Sequence, residues 1–359
     1  MTTRSFVHSA HAQRVVFGQG SVRALPDELD KLGVRRALVL CTSGQTEQAQ
    51  SILRGIGSRG VGLHDGAAMH VPVEVARSAR AEASKLNADV LLAVGGGSTI
   101  GLAKAIALES GLPIVAVPTT YAGSEMTSIY GLTEGGLKRT GRDIRVLPRT
   151  VVYDPALTYE LPAATSVVSG LNAIAHASEA LYASDSSPIT DLMAVEGLTA
   201  LARALPLLAD RSTAGAPVQA KAREDALYGA WLCGAVLGAV SMALHHKLCH
   251  TLGGTFGLPH AETHAVVLPH ALAYNANFAR PAMERIATAL NGRSAPAAAF
   301  DLAHACGAPC SLRELGLSKA DLQRATDLAL QNQYPNPRPL EAASIAQLLR
   351  DAFDGVRPN

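Results

Sequence analysis

The pattern of apolar runs changes near residue 156, and this change limits the possible folds more than any other feature. Before it, short aliphatic runs at 89–94 (D-V-L-L-A-V) and 113–117 (P-I-V-A-V) alternate with stretches of helical composition. Such runs are typical of strands buried on both faces of a parallel sheet. After residue 161 the composition becomes helical throughout. The sequence therefore predicts a parallel α/β domain over residues 1–156 and an all-helical domain over residues 157–359.

Charge and cysteine content narrow the classes of partner and compartment. The 359 residues carry a formal charge of +1, and only 17% of them are charged. No basic surface for nucleic acid is expected, and a small molecule is the predicted partner. The five cysteines are scattered and odd in number, which favours a reducing cytoplasm over a disulfide framework.

The sequence offers little support for export or membrane insertion. The N-terminal residues lack the apolar core of a secretory signal. Residues 226–244 are almost uninterrupted apolar sequence and approach the length of a membrane span. They are rich in alanine and glycine and run directly into a histidine-rich stretch, so we interpret them as a buried helix of the helical domain.

A glycine turn follows the apolar run at 89–94 and precedes a helix-forming stretch. Its residues are Gly95, Gly96, Gly97 and Ser98. Glycines let the backbone approach an anion closely, and the start of the following helix favours negative charge. A phosphate-binding site and a plain tight turn both remain open, because the spacing is not G-x-G-x-x-G. Further hydroxyl side chains follow two other predicted strands, at the sheet edge where ligands bind in such folds: Thr42, Thr119 and Thr120.

Residues 242–270 hold six of the twelve histidines. The pairs His246/His250 and His260/His264 are each spaced four apart, so on a helix each pair would share a face. This geometry suits metal binding or proton transfer, although a single histidine is more often a structural group. The glutamate of H-E-x-x-H is missing, so a hydrolytic zinc site is poorly supported.

A second candidate group lies on the predicted helix at 169–182. Asn172 and His176 are four apart, and Glu179 lies one further turn along the same face. Asparagine is a poor metal ligand compared with aspartate, yet its amide both donates and accepts hydrogen bonds. Considered alone, the pair fits a structural role as well as a functional one.

These motifs together resemble the iron-containing alcohol dehydrogenase family. They are G-G-G-S at 95–98, P-T-T at 118–120, G-L-N-A-I-A-H at 170–176 and H-H-K-L-C-H-T-L-G-G-T-F-G-L-P-H at 245–260. The resemblance runs from F-G-Q-G at 17–20 to L-P-H-A-L-A-Y-N at 268–275, and so covers most of the chain. It implies a Rossmann-like nucleotide-binding domain, a helical C-terminal domain and the fold shared with dehydroquinate synthase.

The resemblance also implies a metal site, from which this sequence departs. Usual members bind iron or zinc through one aspartate and three histidines, and the histidine positions match His176, His246 and His260. The aspartate position matches Asn172, so the only anionic ligand is missing. This change is similar to that in a metal-independent branch of the family, which reduces maleylacetate. We therefore expect no metal, and expect these residues to bind the carboxylates of a small dicarboxylate substrate.

The expected reaction is reduction of the carbon–carbon double bond of maleylacetate to 3-oxoadipate, in the breakdown of aromatic compounds. The family resemblance places His250 beside the substrate, and we expect it to be the acid, with Tyr121 as the alternative. The resemblance implies NADH or NADPH as the cofactor, and the choice between them stays open because no acidic residue follows Cys41 to repel a 2′-phosphate. The alternatives are a metal-dependent alcohol dehydrogenase of the same family and a non-catalytic nucleotide-binding protein.

Two further implications of the resemblance concern the glycine turn and the assembly. Gly101 stands where alcohol dehydrogenases of the family usually carry aspartate, and the segment after Pro118 is one residue shorter than in those relatives. Cofactor contacts beyond Thr120 are therefore left open. A homodimer is expected from the family alone.

Overall fold

The computed structural model describes residues 6–135, 137–210, 212 and 215–359. The chain divides into two compact units. The α/β unit is His11–Leu161, and the helical unit is Pro162–Asn359 together with the N-terminal residues through Ala10. The expected fold class, a Rossmann-like parallel-sheet domain followed by an all-helical domain, is confirmed. The domain bounds at residues 156 and 157 stay a prediction.

Within the described residues, eight strands and four α-helices build the α/β unit. The strands are β1 (Arg14–Phe17), β2 (Ala37–Leu40), β3 (Gly60–His64), β4 (Val90–Gly95), β5 (Ile114–Pro118), β6 (Ile129–Glu134), β7 (Leu137–Arg142) and β8 (Thr150–Tyr153). The helices are α1 (Leu25–Lys31), α2 (Thr46–Gly55), α3 (Val73–Lys85) and α4 (Gly97–Ser110). Six strands form a parallel sheet in the order β1-β8-β5-β4-β2-β3, and β6 pairs with β7 as an antiparallel hairpin.

Strand β4 packs against an apolar core on each face of the sheet. Every residue of β4 is buried. Leu91 and Ala93 belong to a core shared with α3 and α4, whereas Val90, Leu92 and Val94 belong to a second core shared with α1 and α2. This alternation follows from the two-residue period of a strand, and it explains the continuous apolar run in the sequence.

The strand order places a topological switch between β2 and β4. From β2 the chain crosses to β3 on one side, and from β4 it crosses to β5 on the other side. Open parallel sheets bind ligands at the carboxyl ends of the strands at such a point. Thr42 follows β2 and the glycine turn follows β4, so both lie at this position.

Nine helices of the described chain form the helical unit. They are α5 (Ala163–Ala180), α6 (Pro188–Ala209), α7 (Pro217–Ala239), α8 (Leu244–Phe256), α9 (His260–Asn275), α10 (Arg280–Ala289), α11 (Ala295–Ala305), α12 (Leu322–Ala329) and α13 (Ala342–Asp354). Helix α5 is buried over most of its length and packs against α6, α7 and α9. A separate apolar core joins α8, α9, α12 and α13.

The apolar stretch at 226–244 is not one straight helix. Helix α7 ends at Ala239 and α8 begins at Leu244, with a bend of 95° between them. Within the described residues, Pro188–Ala209 is the one helix that is by itself long and apolar enough to cross a membrane. Its residues Leu198 and Leu201 are fully buried, and α6 packs closely against α5 and α7. These contacts are those of a core helix.

Candidate functional site

The bend before α8 and the start of α9 position the histidine-rich stretch. His246 and His250 lie one turn apart on α8, and their ring centroids are 6.0 Å apart. His260 is the first residue of α9, after Pro259, and its ring centroid lies 4.3 Å from that of His264. Both predicted pairs therefore share a helix face.

Helix α5 adds His176 to this group. The ring centroid of His176 lies 5.2 Å from that of His246 and 6.2 Å from that of His264, and the His246 and His264 centroids are 4.9 Å apart. We call these three residues the histidine cluster; all three are buried. The family resemblance implies no role for His264, whereas the structure places it beside His176 and His246.

Several polar atoms of the cluster are buried without a hydrogen-bond partner. Among the described residues they are His176 Nδ1, His246 Nε2, both ring nitrogens of His264 and, on the same α5 face, Asn172 Oδ1. Burial and the neighbouring imidazoles lower the pKa of each cluster histidine well below its ordinary value, so the rings are neutral at pH 7. Such unsatisfied groups are rare in proteins and indicate a place for a polar ligand.

Glu179, on α5, contacts His246 and the backbone at the start of α8. Its Oε1 accepts the backbone N–H of His245 at 2.7 Å, and its Oε2 accepts that of Ala243 at 2.9 Å. Oε2 also lies 2.7 Å from His246 Nδ1. Burial raises the pKa of the Glu179 carboxyl, while His245 and the N–H groups at the start of α8 favour the carboxylate. The carboxylate thereby caps α8 and orients the His246 ring.

The other predicted catalytic residues, His250 and His260, are exposed. The Nδ1 atom of His250 lies 3.0 Å from the hydroxyl of Tyr334. Lys247 Nζ lies 5.9 Å from the centroid of the Tyr334 ring, and burial lowers the pKa of this lysine. Tyr121, the alternative acid, is fully buried within the α/β unit.

Sequence reasoning missed two contacts of this site. Glu179 was recognised only as continuing the face of His176, and its position one turn beyond that histidine was the available signal. Tyr334 gave no signal, because it lies 84 residues from His250 in the sequence.

The donor set lacks the anionic ligand of the iron site that the family resemblance implies. One ligand atom from each residue of the histidine cluster lies within 4.8 Å of the others, and imidazoles bind zinc and iron. The position of the anionic ligand is held by the neutral amide of Asn172, and the nearby carboxylate of Glu179 contacts His246 and backbone N–H groups. A cation there would gain no neutralising charge from Asn172.

The glycine turn has the features of a phosphate site. Gly96 is the N-cap of α4, and no side chain caps the helix start. Gly97 is exposed, whereas a Cβ on Gly96 would lie 2.8 Å from Oγ1 and Cγ2 of Thr120. The backbone N–H groups at the start of α4 are therefore available to a phosphate of NADH or NADPH.

Gln45 connects the threonines at the carboxyl ends of β2 and β5. Its Nε2 donates to Thr119 Oγ1 at 2.6 Å, and its Oε1 accepts from Thr42 Oγ1 at 3.2 Å. The structure therefore brings Thr42 and Thr119 to one side-chain network beside the glycine turn, and sequence reasoning did not identify Gln45.

Gly101 departs from the family pattern for a steric reason. A Cβ at this position would lie 2.8 Å from Cγ2 of the buried Val71. An aspartate would therefore require Val71 to shift.

Gly95→Ala is expected to lower the free energy of unfolding by about 1–3 kcal/mol, because Gly95 has a φ of +153° and its Cβ would lie 2.4 Å from Thr99 Oγ1. Gly97→Ala is the matched control. The nearest heavy atom to its Cβ is 3.9 Å away, so the expected change is below about 0.5 kcal/mol. Urea denaturation measures both, and equal stability of the two variants would contradict the assigned packing at Gly95.

Comparisons with known proteins agree over the whole chain. The iron-containing alcohol dehydrogenase family model matches residues 12–155, and the model of the C-terminal part of the Fe-containing alcohol dehydrogenase family matches residues 166–353. The maleylacetate reductase of Burkholderia cepacia is 60% identical over 356 residues, which are 99% of this chain and 99% of that protein.

Two solved structures give the same result at the level of the fold. A maleylacetate reductase from Agrobacterium tumefaciens has a TM-score of 0.94 and 49% identity, covering 99% of this chain and 100% of that chain. A maleylacetate reductase from Rhizobium sp. has a TM-score of 0.93 and 48% identity, covering 99% of this chain and 100% of that chain. With a matching family model over each half and full-length relatives, the chain belongs to the iron-containing alcohol dehydrogenase family.

Proposed function

We propose that this protein reduces the carbon–carbon double bond of maleylacetate to 3-oxoadipate with NADH or NADPH, without a metal ion. The carrying observation is the buried, neutral histidine cluster beside Asn172, where the family would place an anionic metal ligand. The proposal is further supported by the maleylacetate reductases to which the chain is similar over its full length.

The glycine turn Gly95–Gly97, with Ser98, holds the cofactor pyrophosphate in this proposal. Thr42, Thr119 and Thr120 lie at the same edge of the sheet and contact the remainder of the cofactor. When bound, NADH or NADPH supplies the hydride that the alkene carbon β to the ketone accepts.

In this proposal the helical unit binds the substrate and supplies the proton that the enolate takes up. His176, His246 and His260, with Asn172, contact the carboxylates and the ketone oxygen through hydrogen bonds, and Lys247 adds positive charge. The enolate that follows hydride addition is stabilised by these groups. His250 then donates a proton to the carbon next to the ketone, because imidazole exchanges protons near neutral pH.

A second candidate, a metal-dependent alcohol dehydrogenase, is favoured by one observation. The unpartnered nitrogens of the histidine cluster are close enough to share an ion, and the Glu179 carboxylate lies behind His246, as carboxylates often do behind metal-bound imidazoles. A non-catalytic nucleotide-binding protein is the third candidate, and complete absence of NAD(P)H oxidation would support it.

The test is NADH and NADPH oxidation with maleylacetate after exhaustive chelation, together with metal analysis. We expect turnover to be unchanged by chelation, because no step of the proposed reaction needs a cation. Asn172→Asp is the matched variant: it restores an anionic ligand and should bind Zn²⁺ more tightly than the wild-type protein. Stoichiometric zinc or iron that is required for turnover would overturn the proposal in favour of the second candidate. The homodimer and the cytoplasmic location remain predictions.

A further inference from the structure

Residues 334–341, which we call the Tyr334 strap, cross from α12 to α13 over the ends of α8 and α9. Asn336 fixes the strap through a reciprocal pair of amide hydrogen bonds. Asn275 Nδ2 donates to Asn336 Oδ1 at 2.9 Å, and Asn336 Nδ2 donates to Asn275 Oδ1 at 2.8 Å. Asn336 Oδ1 also accepts the backbone N–H of Leu244 at 3.4 Å. One amide thus joins the strap to the start of α8 and the end of α9.

The far end of the strap is fixed by Tyr274 on α9. The Tyr274 hydroxyl donates to the carbonyl of Pro339 at 2.8 Å and accepts the N–H of Glu341 at 3.2 Å. The guanidinium of Arg338 lies 4.2 Å from the centroid of the Tyr274 ring. The strap is thus fixed at Asn336 and again near Pro339, and the half-buried Tyr334 lies two residues before the Asn336 anchor, beside α8.

The contact of Tyr334 with His250 involves one ring nitrogen, Nδ1. The Tyr334 hydroxyl lies 3.0 Å from His250 Nδ1, with the two rings edge to face at 72° and 6.1 Å between centroids. Burial and the Glu179 carboxylate raise the pKa of Tyr334, so the phenol stays neutral at pH 7. A neutral phenol oxygen accepts a hydrogen bond from Nδ1–H whether or not Nε2 carries a proton.

We propose that Tyr334 is a positioning residue that holds Nδ1–H of His250, so that Nε2 is the nitrogen that delivers the proton to the substrate. This inference rests on the proposed function. In the step, the Nε2–H bond of the imidazolium breaks as a C–H bond forms at the enolate carbon next to the ketone. The electron pair of the broken bond stays on Nε2, and Nδ1 keeps its proton. Solvent returns a proton to Nε2 before the next turnover.

The first measurement is steady-state NADH oxidation with maleylacetate by Tyr334→Phe, which keeps the ring and removes the hydroxyl. We expect kcat to fall about five- to tenfold, with KM for both substrates close to the wild-type values, because only the orientation of the acid is affected. Tyr159→Phe, which removes an exposed phenol hydroxyl from the α/β unit, is the matched control and should behave as wild type.

The second measurement reads the tautomer directly by NMR of ¹⁵N-histidine-labelled protein, with the His250 signals assigned by their loss in His250→Ala. Neutral His250 should carry its proton on Nδ1 in the wild type and shift toward Nε2–H, the form preferred by free histidine, in Tyr334→Phe. An unchanged tautomer, or an unchanged kcat, would overturn the role of Tyr334. Failure of the proposed function gives a different result: the wild-type protein would not oxidise NADH with maleylacetate, while the tautomer measurement would still report on the contact.

Discussion

Replacing His250 with alanine is expected to lower kcat for NADH oxidation with maleylacetate by about 10²- to 10⁴-fold. The exposed imidazole is the proposed proton donor, and the neighbouring cluster rings are buried and neutral, so they are poor substitutes. NADH should bind as tightly as to the wild type, because the glycine turn belongs to the other unit. Stopped-flow or steady-state absorbance gives the rate, and fluorescence titration gives the Kd for NADH.

The control for this variant is His304→Ala, which removes another exposed imidazole from the helical unit. This variant should retain wild-type kcat. A His250→Ala protein with a near-normal rate would refute the acid role of His250 and show that another group donates the proton.

Glu179→Gln is expected to lower the free energy of unfolding by about 2–3 kcal/mol. The wild-type carboxylate accepts two backbone N–H groups at the start of α8 and lies 2.7 Å from His246 Nδ1. Glutamine has the same shape, but its amide nitrogen would point donors at one of those N–H groups or at the ring. One buried donor would thereby lose its partner, which is costly because Glu179 and His245 are fully buried.

Urea denaturation measures this change, with Glu224→Gln as the control. Glu224 forms an exposed ion pair with Lys221, and its loss should cost less than about 1 kcal/mol. Equal stability of Glu179→Gln and wild type would show that the carboxylate charge is unnecessary for capping α8.

The fold could be predicted from the sequence because its signals are local. The continuous apolar run of β4, the glycine turn and the helix start at α4 occupy neighbouring residues, and the loss of strand-like runs after β8 marks the helical unit. The segment of β6 and β7 is polar and rich in glycine, so its sequence does not distinguish a hairpin from a loop.

The site could be predicted only where helix periodicity relates its residues. Asn172 and His176 share a face of α5, and His246 and His250 share a face of α8. The position of His264 beside His246, the capping of α8 by Glu179 and the bridge made by Gln45 depend on packing between separate elements. The sequence likewise predicts one buried helix over residues 226–244, whereas the structure has a bend of 95° there, between α7 and α8. No spacing rule within one helix or strand relates such residues.

The position of the Tyr334 strap in the chain determines when its contact with His250 can form during synthesis. The α/β unit is continuous from His11 to Leu161, so it is complete before most of the helical unit has been translated, and domains generally fold as units from the N-terminus. His8, whose ring contacts Ser187, must wait for α6. The Tyr334 contact of His250 forms later still, because Tyr334 lies 84 residues after His250 in the sequence. A ribosome stalled before this residue therefore carries a complete α/β unit and a helical unit in which Tyr334 has not yet reached His250.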